Sequence, residues 1–517
     1  MSEPAKSPPA ATPVLSRTRR GLVLAATVLG SSLAFIDSTA VNVALPAIQR
    51  DLLASVADLQ WIANGYLLML AAVLLVGGAA GDRYGRKLVF MLGVAAFAVA
   101  SVGCALSTDA DTLIIARAAQ GLASAFLVPN SLALLSATYP REARGRAIGA
   151  WSAFAAMTTA FGPVLGGWLV DTTSWPAAFW INLPIAAICL VLAAFAIPES
   201  RDANARGNPD ILGAVLVILG LGALTWALIA LGESQADNRM IIGLAVSGVT
   251  LMGVFFWVEG RVQDPMLPPY LMKIRTFASA NLLTLLLYGA LGGVLFIMPL
   301  GLIRVHGYTA SEAGASFLPF PAVMFLLSRY SGTLVDKFGP RLPLVLGPFV
   351  TGIGLMLLAW PETGTPYWST YMPGIIVLGL GMSICIAPLT TTVMNSVDDD
   401  HAGIASAVNN AASRVAGLLS VAAVGPILVP VFMVALEPRL VGLPEAAIAA
   451  AHAVGPEELM DLIAPKGLAP EAATALMGAA REAFVQAFRA VLLALSGFAY
   501  LSAIVAWFTL GPERKNG

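Results

Sequence analysis

"GAAGDRYGRK" occupies residues 78–87, and "GTLVDKFGPR" occupies residues 332–341. Aligned, they share Gly78 with Gly332, Asp82 with Asp336, Gly85 with Gly339, and Lys87 with Arg341. Each follows an apolar run of the length that crosses a bilayer as a helix, about 20 residues. A charged turn that recurs behind equivalent spans marks an internal repeat. Parallel repeats of this kind are a transporter architecture, with the substrate site near the midplane at the interface of the halves.

Composition agrees. The chain has 517 residues, 58% hydrophobic and 11% charged, with a mean hydropathy of +0.81. Soluble domains carry about 25% charged residues, so the bilayer is the solvent here. A net charge of −1 gives no reason to expect nucleic acid as a partner. Cys104, Cys189 and Cys385 sit far apart inside apolar runs, so neither a disulfide framework nor a metal site is expected. "RTRRGLVLAATVLG" has the basic flank and apolar run of a signal peptide, but no cleavage site follows, and it reads as the first span.

The expected spans are 21–46, 59–81, 88–106, 112–136, 147–170, 177–197, 211–232, 240–258, 276–300, 313–335, 342–360, 371–394, 402–433 and 489–510. Kinks are expected at Pro46 or Pro426. The fold class is therefore an all-α integral membrane protein with 14 transmembrane helices, two six-helix bundles plus a two-helix insertion. The expected units are a disordered tail at 1–20, a first bundle at 21–197, the insertion at 198–275, a second bundle at 276–511 including an outer loop at 434–488, and a tail at 512–517. Short helices or a hairpin are expected in that loop. Lys and Arg crowd one side of the spans, as at Arg83, Arg86, Lys87, Arg141, Arg144 and Arg146, whereas the short loops opposite hold Arg50, Arg239 and Arg304. The positive-inside rule then puts both termini in the cytoplasm of a multi-pass protein of the cell membrane.

"LAFIDSTAVNVALP" (33–46) places Asp37 about midway along the first span. Of thirty acidic residues it alone falls deep in a span. Such a placement costs about 2.5–3.5 kcal/mol at the bilayer centre. Low dielectric favours the neutral acid, so this group can bind and release a proton as its surroundings alternate between wet and dry. Arg117, in "LIIARAAQGLASAFLVPN", lies at a similar depth on the fourth span. Pairing in one state and separation in another would couple proton release to motion; the alternative is a static pair that only fixes packing. Arg414 near the middle of the thirteenth span is a second polar element. Asn42, Asn64, Tyr66, Gln120 and Asn130 are the candidate substrate-lining residues, which suits an amphipathic or aromatic solute. In the loop, Gly85 and Gly339 supply the reversal and the basic residues hold it inside. The acid repeated at Asp82 and Asp336 points to a gate, since a plain turn has no need of it. Gly162, Pro163, Gly166 and Gly167 describe a close-packed, bendable fifth helix.

At these residues the chain resembles the major facilitator superfamily, in its fourteen-helix drug:proton antiporter branch (EmrB/QacA-like). "IDSTAVNVALPAI" (36–48), "QWIANGYLL" (60–68), "GDRYGRK", "RAAQG" (117–121) and "SWPAAFWINLPI" (174–185) carry the likeness in the first half, and "NNAASR" with the second loop motif in the other. The resemblance implies that Asp37 is the protonatable coupling site with Arg117 as its partner. It also implies that Asp82, Gly85, Arg86 and Lys87 latch the cytoplasmic gate. Thr158 stands where the antiporter motif has glycine, and Ala80 and Gly81 replace leucine and alanine in the loop motif. The expected function is substrate/H+ antiport exporting drug-like compounds. Its partners are lipid, small-molecule substrate and protons, with room for other efflux components. No cofactor beyond the coupling proton is expected. The alternative is a dedicated exporter or importer of one endogenous metabolite or lipid. An enzyme is not expected, because HExxH, GxSxG and GxxxxGK[ST] are lacking.

Overall fold

The computed structural model describes residues 16–201, 209–233, 236–263, 265–362, 364–398, 402–454, 459–460, 462, 464–465 and 467–511. Among the described residues it is built from helices, and 14 are long and apolar enough to cross a membrane. The first half holds α1 (Arg17–Leu52), α2 (Val56–Tyr84), α3 (Arg86–Ala105), α4 (Ala110–Thr138), α5 (Arg141–Thr172), α6 (Ala177–Trp180) and α7 (Asn182–Ala196). The insertion is the hairpin of α8 (Ile211–Leu231) and α9 (Asn238–Glu259). After the short α10 (Pro269–Lys273), the second half holds α11 (Arg275–His306), α12 (Ala310–Ala315), α13 (Pro319–Phe338), α14 (Arg341–Leu358), α15 (Tyr367–Asn395), α16 (Ala402–Leu440), α17 (Glu445–Ala453) and α18 (Pro470–Thr509).

Local chemistry sets the ends. Ser55 and Asp58 form a reciprocal capping box at the start of α2, and Thr309 with Glu312 does the same for α12. Asp109 caps α4 by accepting from Thr112 N at 2.8 Å. Gly85 takes φ 120°, which a residue with a Cβ rarely adopts, and so ends α2 and starts α3 within one residue. Gly339 has φ 71° at the equivalent place in the repeat.

Three expectations change. The tenth span is broken: α12 stops after a turn and α13 restarts at Pro319, where a missing N–H costs nothing. The segment 434–488 is shortened at both ends by helix extension. α16 continues to Leu440, and α18 begins at Pro470, with the short helix α17 between them. The Ala-rich run continues α18 because Ala472, Leu476, Ala479, Ala483 and Ala487 bury one face at helical spacing. Third, α1 begins at Arg17, inside the expected tail; Pro46 lies within α1 and Pro426 within α16. Residues 1–15 and 512–517 lie outside the described residues.

Phe90, Phe97 and Leu127 pack the first half, while Phe277, Phe296, Phe432 and Phe484 pack the second. Ile242, Val246, Val249 and Trp257 of α9 are exposed, the apolar exterior that lipid requires. α8 lies against both α2 and α16, at the side where the halves meet.

Candidate functional site

The fourth helix organises the centre of the first half. Arg117, Gln120, Gly121 and Ser124 recur at helical spacing and are buried together. A Cβ on Gly121 would lie 2.2 Å from Tyr66 O, so α4 and α2 touch backbone to backbone there. That contact brings the Tyr66 ring over the Arg117 guanidinium, 4.4 Å from centroid to Cζ, a cation–π arrangement.

Asp37 faces this surface from α1 and is fully buried, as is Arg117. Arg117 Nη1 donates to Asp37 Oδ2 in an ion pair. The other carboxylate oxygen, Oδ1, accepts from Gln120 Nε2 at 2.9 Å and from Asn182 Nδ2 at 3.1 Å. All three partners donate, which suits an ionised, acceptor-only carboxylate. Behind them Ser101 Oγ accepts from the same two amides at 2.8 and 3.2 Å, and Arg117 Nε donates to Ile62 O at 3.2 Å. The pair is thus tied to α2, α3, α4 and α7. Ser101 and Asn182 have no role in the sequence reading. Their signal was a neutral polar side chain inside an apolar span, which is too common to single out.

The lining candidates divide. Tyr66 donates to Ala34 O at 3.1 Å and Gln120 binds Asp37, so both belong to the buried network and do not line a path. Asn130 donates to Gly77 O at 2.9 Å and Phe126 O at 2.7 Å, and a Cβ on Gly81 would meet its Oδ1 at 1.5 Å. It is a spacer between α4 and α2, set by that backbone approach. Asn64 is fully buried. Asn42 is different: with Phe35 and Ser38 it forms the half-buried face of α1, at positions three and four residues apart. Phe35 packs edge-on against Trp151 of α5 at 6.2 Å, and the half-buried Arg414 of α16 reaches to 5.7 Å from the Phe35 ring. An aromatic pair and one cation therefore meet between the halves.

At the loop, Arg86 pairs with Asp82 at 2.7 Å one turn away. Lys87 Nζ donates to Ala194 O at 2.8 Å, and Arg83 stacks on Tyr84 with 5.7 Å from Cζ to the ring centroid. The carboxylate of Glu199, which the sequence reading left in a connection, accepts from Lys87 N at 3.0 Å and Leu88 N at 3.1 Å. It caps α3, while Ser200 O accepts from Arg86 N at 2.9 Å. The loop is moored to the end of α7. In the second half Arg341 donates to Trp507 O at 2.7 Å, and the Asp336 side chain lies outside the described residues.

The fifth helix forms a seam at the end of the bundle opposite the loop. Cβ atoms on Gly162 and Gly166 would lie 1.9 Å from Thr39 Oγ1 and 2.7 Å from Ala40 Cα, so α5 is pressed onto α1. A Cβ on Gly167 would lie 2.3 Å from Ala310 O, and one on Gly314 would lie 2.1 Å from Pro163 O. Across the same seam Asp171 accepts from Ala310 N at 3.1 Å and Ser311 N at 2.7 Å. The two halves touch here through bare backbone. Toward the loop end α5 loosens: a Cβ on Gly145 or Gly149 would meet nothing within 4 Å, and Phe154 and Met157 are exposed. Thr158 stands in that stretch and donates to Phe154 O and Ala155 O, both at 3.0 Å.

Two six-helix halves, the first holding a buried charged pair, that meet closely at one end and loosen at the other have the architecture of a membrane transporter. The Major Facilitator Superfamily model matches residues 27–421, and the chain belongs to that family. It is 34% identical to "Multidrug resistance protein Stp" of Mycobacterium tuberculosis over 81% of this chain and 78% of that protein. It is 33% identical to "Tetracenomycin C resistance and export protein" of Streptomyces glaucescens, over 79% of this chain and 76% of that one. A bacterial homologue of the human lysosomal transporter Spinster matches in structure with a TM-score of 0.63, at 18% identity, over 97% of this chain and 100% of that chain. The chain is a multi-pass membrane transporter of small molecules.

Proposed function

We propose that this protein exports amphipathic or aromatic drug-like compounds across the cell membrane in exchange for protons, with Asp37 as the coupling group. The carrying observation is a fully buried carboxylate on the helix whose next face, Phe35, Ser38 and Asn42, turns toward the other half. A proton arriving at Asp37 neutralises it and releases Arg117 from its counter-ion. That changes the packing of α1 against α2 and α4, beside the place where substrate would sit. The relatives named for multidrug resistance and for tetracenomycin C resistance and export support the efflux direction. With both termini and the 82–87 loop in the cytoplasm, the seam of α5 and α12 is the outer gate. The structure is then closed outside. The gate loop of Asp82, Gly85, Arg86 and Lys87 would change partners on inward closure.

One proton driven by 100 mV and one pH unit delivers about 3.7 kcal/mol, enough to hold a gradient of a neutral solute of a few hundredfold. In proteoliposomes, wild type should move an aromatic cation or neutral amphiphile uphill when a pH gradient is imposed. Asp37→Asn should lose uphill transport and keep exchange down the substrate's own gradient. Uphill transport at wild-type rates by the Asn variant would rule Asp37 out as the coupling site. A screen across chemically diverse compounds separates broad export from a transporter dedicated to one metabolite or lipid.

A further inference from the structure

A second acidic pair lies outside the Asp37 network, at the base of the α8–α9 hairpin. Asp210 precedes α8 and caps it: its Oδ1 accepts from Gly213 N at 2.8 Å. Glu259 ends α9, is 1% exposed, and its Oε2 accepts from Leu267 N at 2.8 Å. Each carboxyl group therefore spends one oxygen on a backbone amide. The remaining two, Asp210 Oδ2 and Glu259 Oε1, are buried without a hydrogen-bond partner. They converge. A Cβ built on Gly213 would lie 2.3 Å from Asp210 Oδ2 and 2.8 Å from Glu259 Oε1, so the bare glycine makes the space in which they face each other.

Two ionised carboxylates this close in a dry site repel, and neither could offer the other a hydrogen. One proton placed between them turns two orphaned acceptors into a donor and an acceptor. Among the described residues, the charged side chains of the adjoining segments are turned elsewhere. Arg261 stacks on Trp257 at 3.9 Å and donates to Trp257 O at 3.3 Å. Lys273 of α10 and Arg201 after α7 are exposed, and Arg275 at the start of α11 donates to Phe508 O at 3.1 Å.

We infer that Asp210 and Glu259 share one proton, so that the base of the α8–α9 hairpin is a second proton-binding site, separate from Asp37. The proton closes the hairpin at the loop end; its loss leaves two like charges facing each other and pushes α8 and α9 apart there. Since α8 packs on α2 and α16, where the halves meet, the hairpin would loosen its hold on that side as the adjoining solution becomes alkaline. The site does not depend on the efflux reading.

The sign is fixed by the direction of proton loss. The closed pair is present at low pH and its stabilisation is lost as pH rises. The test uses purified full-length protein carrying Asp37→Asn, which removes the other buried carboxyl. Infrared difference spectra in D2O should show one protonated carboxylic acid that titrates per chain. That band should vanish in both Glu259→Gln and Asp210→Asn, since each amide supplies the missing donor and leaves its partner ionised. Melting temperature should fall from mildly acidic to mildly alkaline pH in the parent and stay level in the two amide variants. Asp210→Asn retains a capping oxygen for α8, so loss of folding is not the expected result. A carbonyl band that persists in both variants overturns the inference. So does a parent without that band that is stabilised by added magnesium or calcium, which would make the pair a cation site.

Discussion

If the seam of α5 and α12 is the outer gate, as proposed, Asp171→Ala tests alternating access directly. Asp171 belongs to the first half, and the Ala310 and Ser311 amides that it binds belong to the second. These hydrogen bonds exist only while α5 and α12 are together, so their loss raises the free energy of the outside-closed state and leaves the outside-open state untouched. A hydrogen bond to a charged group contributes about 1.5–3 kcal/mol where it is shielded from solvent. Asp171 is exposed, and screening cuts the pair to about 1–2 kcal/mol in total. That shifts the population ratio toward outside-open by about 5- to 30-fold. A reporter is at hand in Val43, 1% exposed at the floor of the outer cleft of about 300 Å³ beside Asp171 and Tyr308. In a Val43→Cys protein with the three native cysteines replaced, the rate of alkylation by a membrane-impermeant reagent added outside reports the open fraction. It should rise about 5- to 30-fold with Asp171→Ala. Asp171→Asn, which keeps one neutral acceptor, should fall between. An unchanged rate in a variant that still melts normally would show that the carboxylate does not hold the seam.

Gly314→Ala should act more strongly at the same seam, because the new methyl would sit 2.1 Å from the Pro163 carbonyl, a backbone atom that cannot rotate aside. Reporter alkylation in this variant should approach its fully open rate, with transport abolished; a closed, active protein would mean that the halves do not meet as described. Glu199→Ala removes the side-chain cap of α3 and should cost about 1 kcal/mol, read as a small drop in the melting temperature of solubilised protein. Glu199→Asp, too short to span both amides, should recover only part of it.

What could be read from the residues alone followed the strength of each physical constraint. The bilayer imposes length and hydropathy on a span, so the 14 helices and the insertion hairpin were visible in composition. The pairing of Asp37 with Arg117 was legible because deep charges are rare and two at equal depth have few alternatives. Asn182 and Ser101 were not, because a neutral polar residue costs little in a span and its partner is chosen by tertiary packing. Glu199 and Glu259 were passed over for a related reason. Both stand at helix ends, where acidic residues usually meet solvent, and only the fold turns one onto the α3 amides and buries the other. The break at Pro319 was hidden by hydropathy that runs on smoothly across residues 313–335. Asn130 misled in the opposite direction. Its polarity suggested a lining residue, but the close approach of α2 at Gly77 and Gly81 uses its amide to join two backbones.

If Asp37 is the coupling group and the α5–α12 seam the outer gate, as proposed, the position of Asp37 on α1 gives the proton a short mechanical route to that gate. Ile36, Thr39 and Ala40, the residues that receive Gly162 and Gly166 of α5, are its immediate neighbours along that helix. Helices packed this closely leave little room for α1 to move without α5. One residue past Gly166, α5 meets α12 at Gly167, and one turn later Asp171 binds the α12 amides. A change in how α1 is held by Arg117, Gln120 and Asn182 is thus passed to the seam through two backbone contacts, without crossing the substrate face of Phe35, Ser38 and Asn42. On the proposed reading, substrate on that face and a proton at Asp37 act on one pair of helices from opposite sides. That is the physical requirement for exchange, because each ligand can favour a different position of the same element.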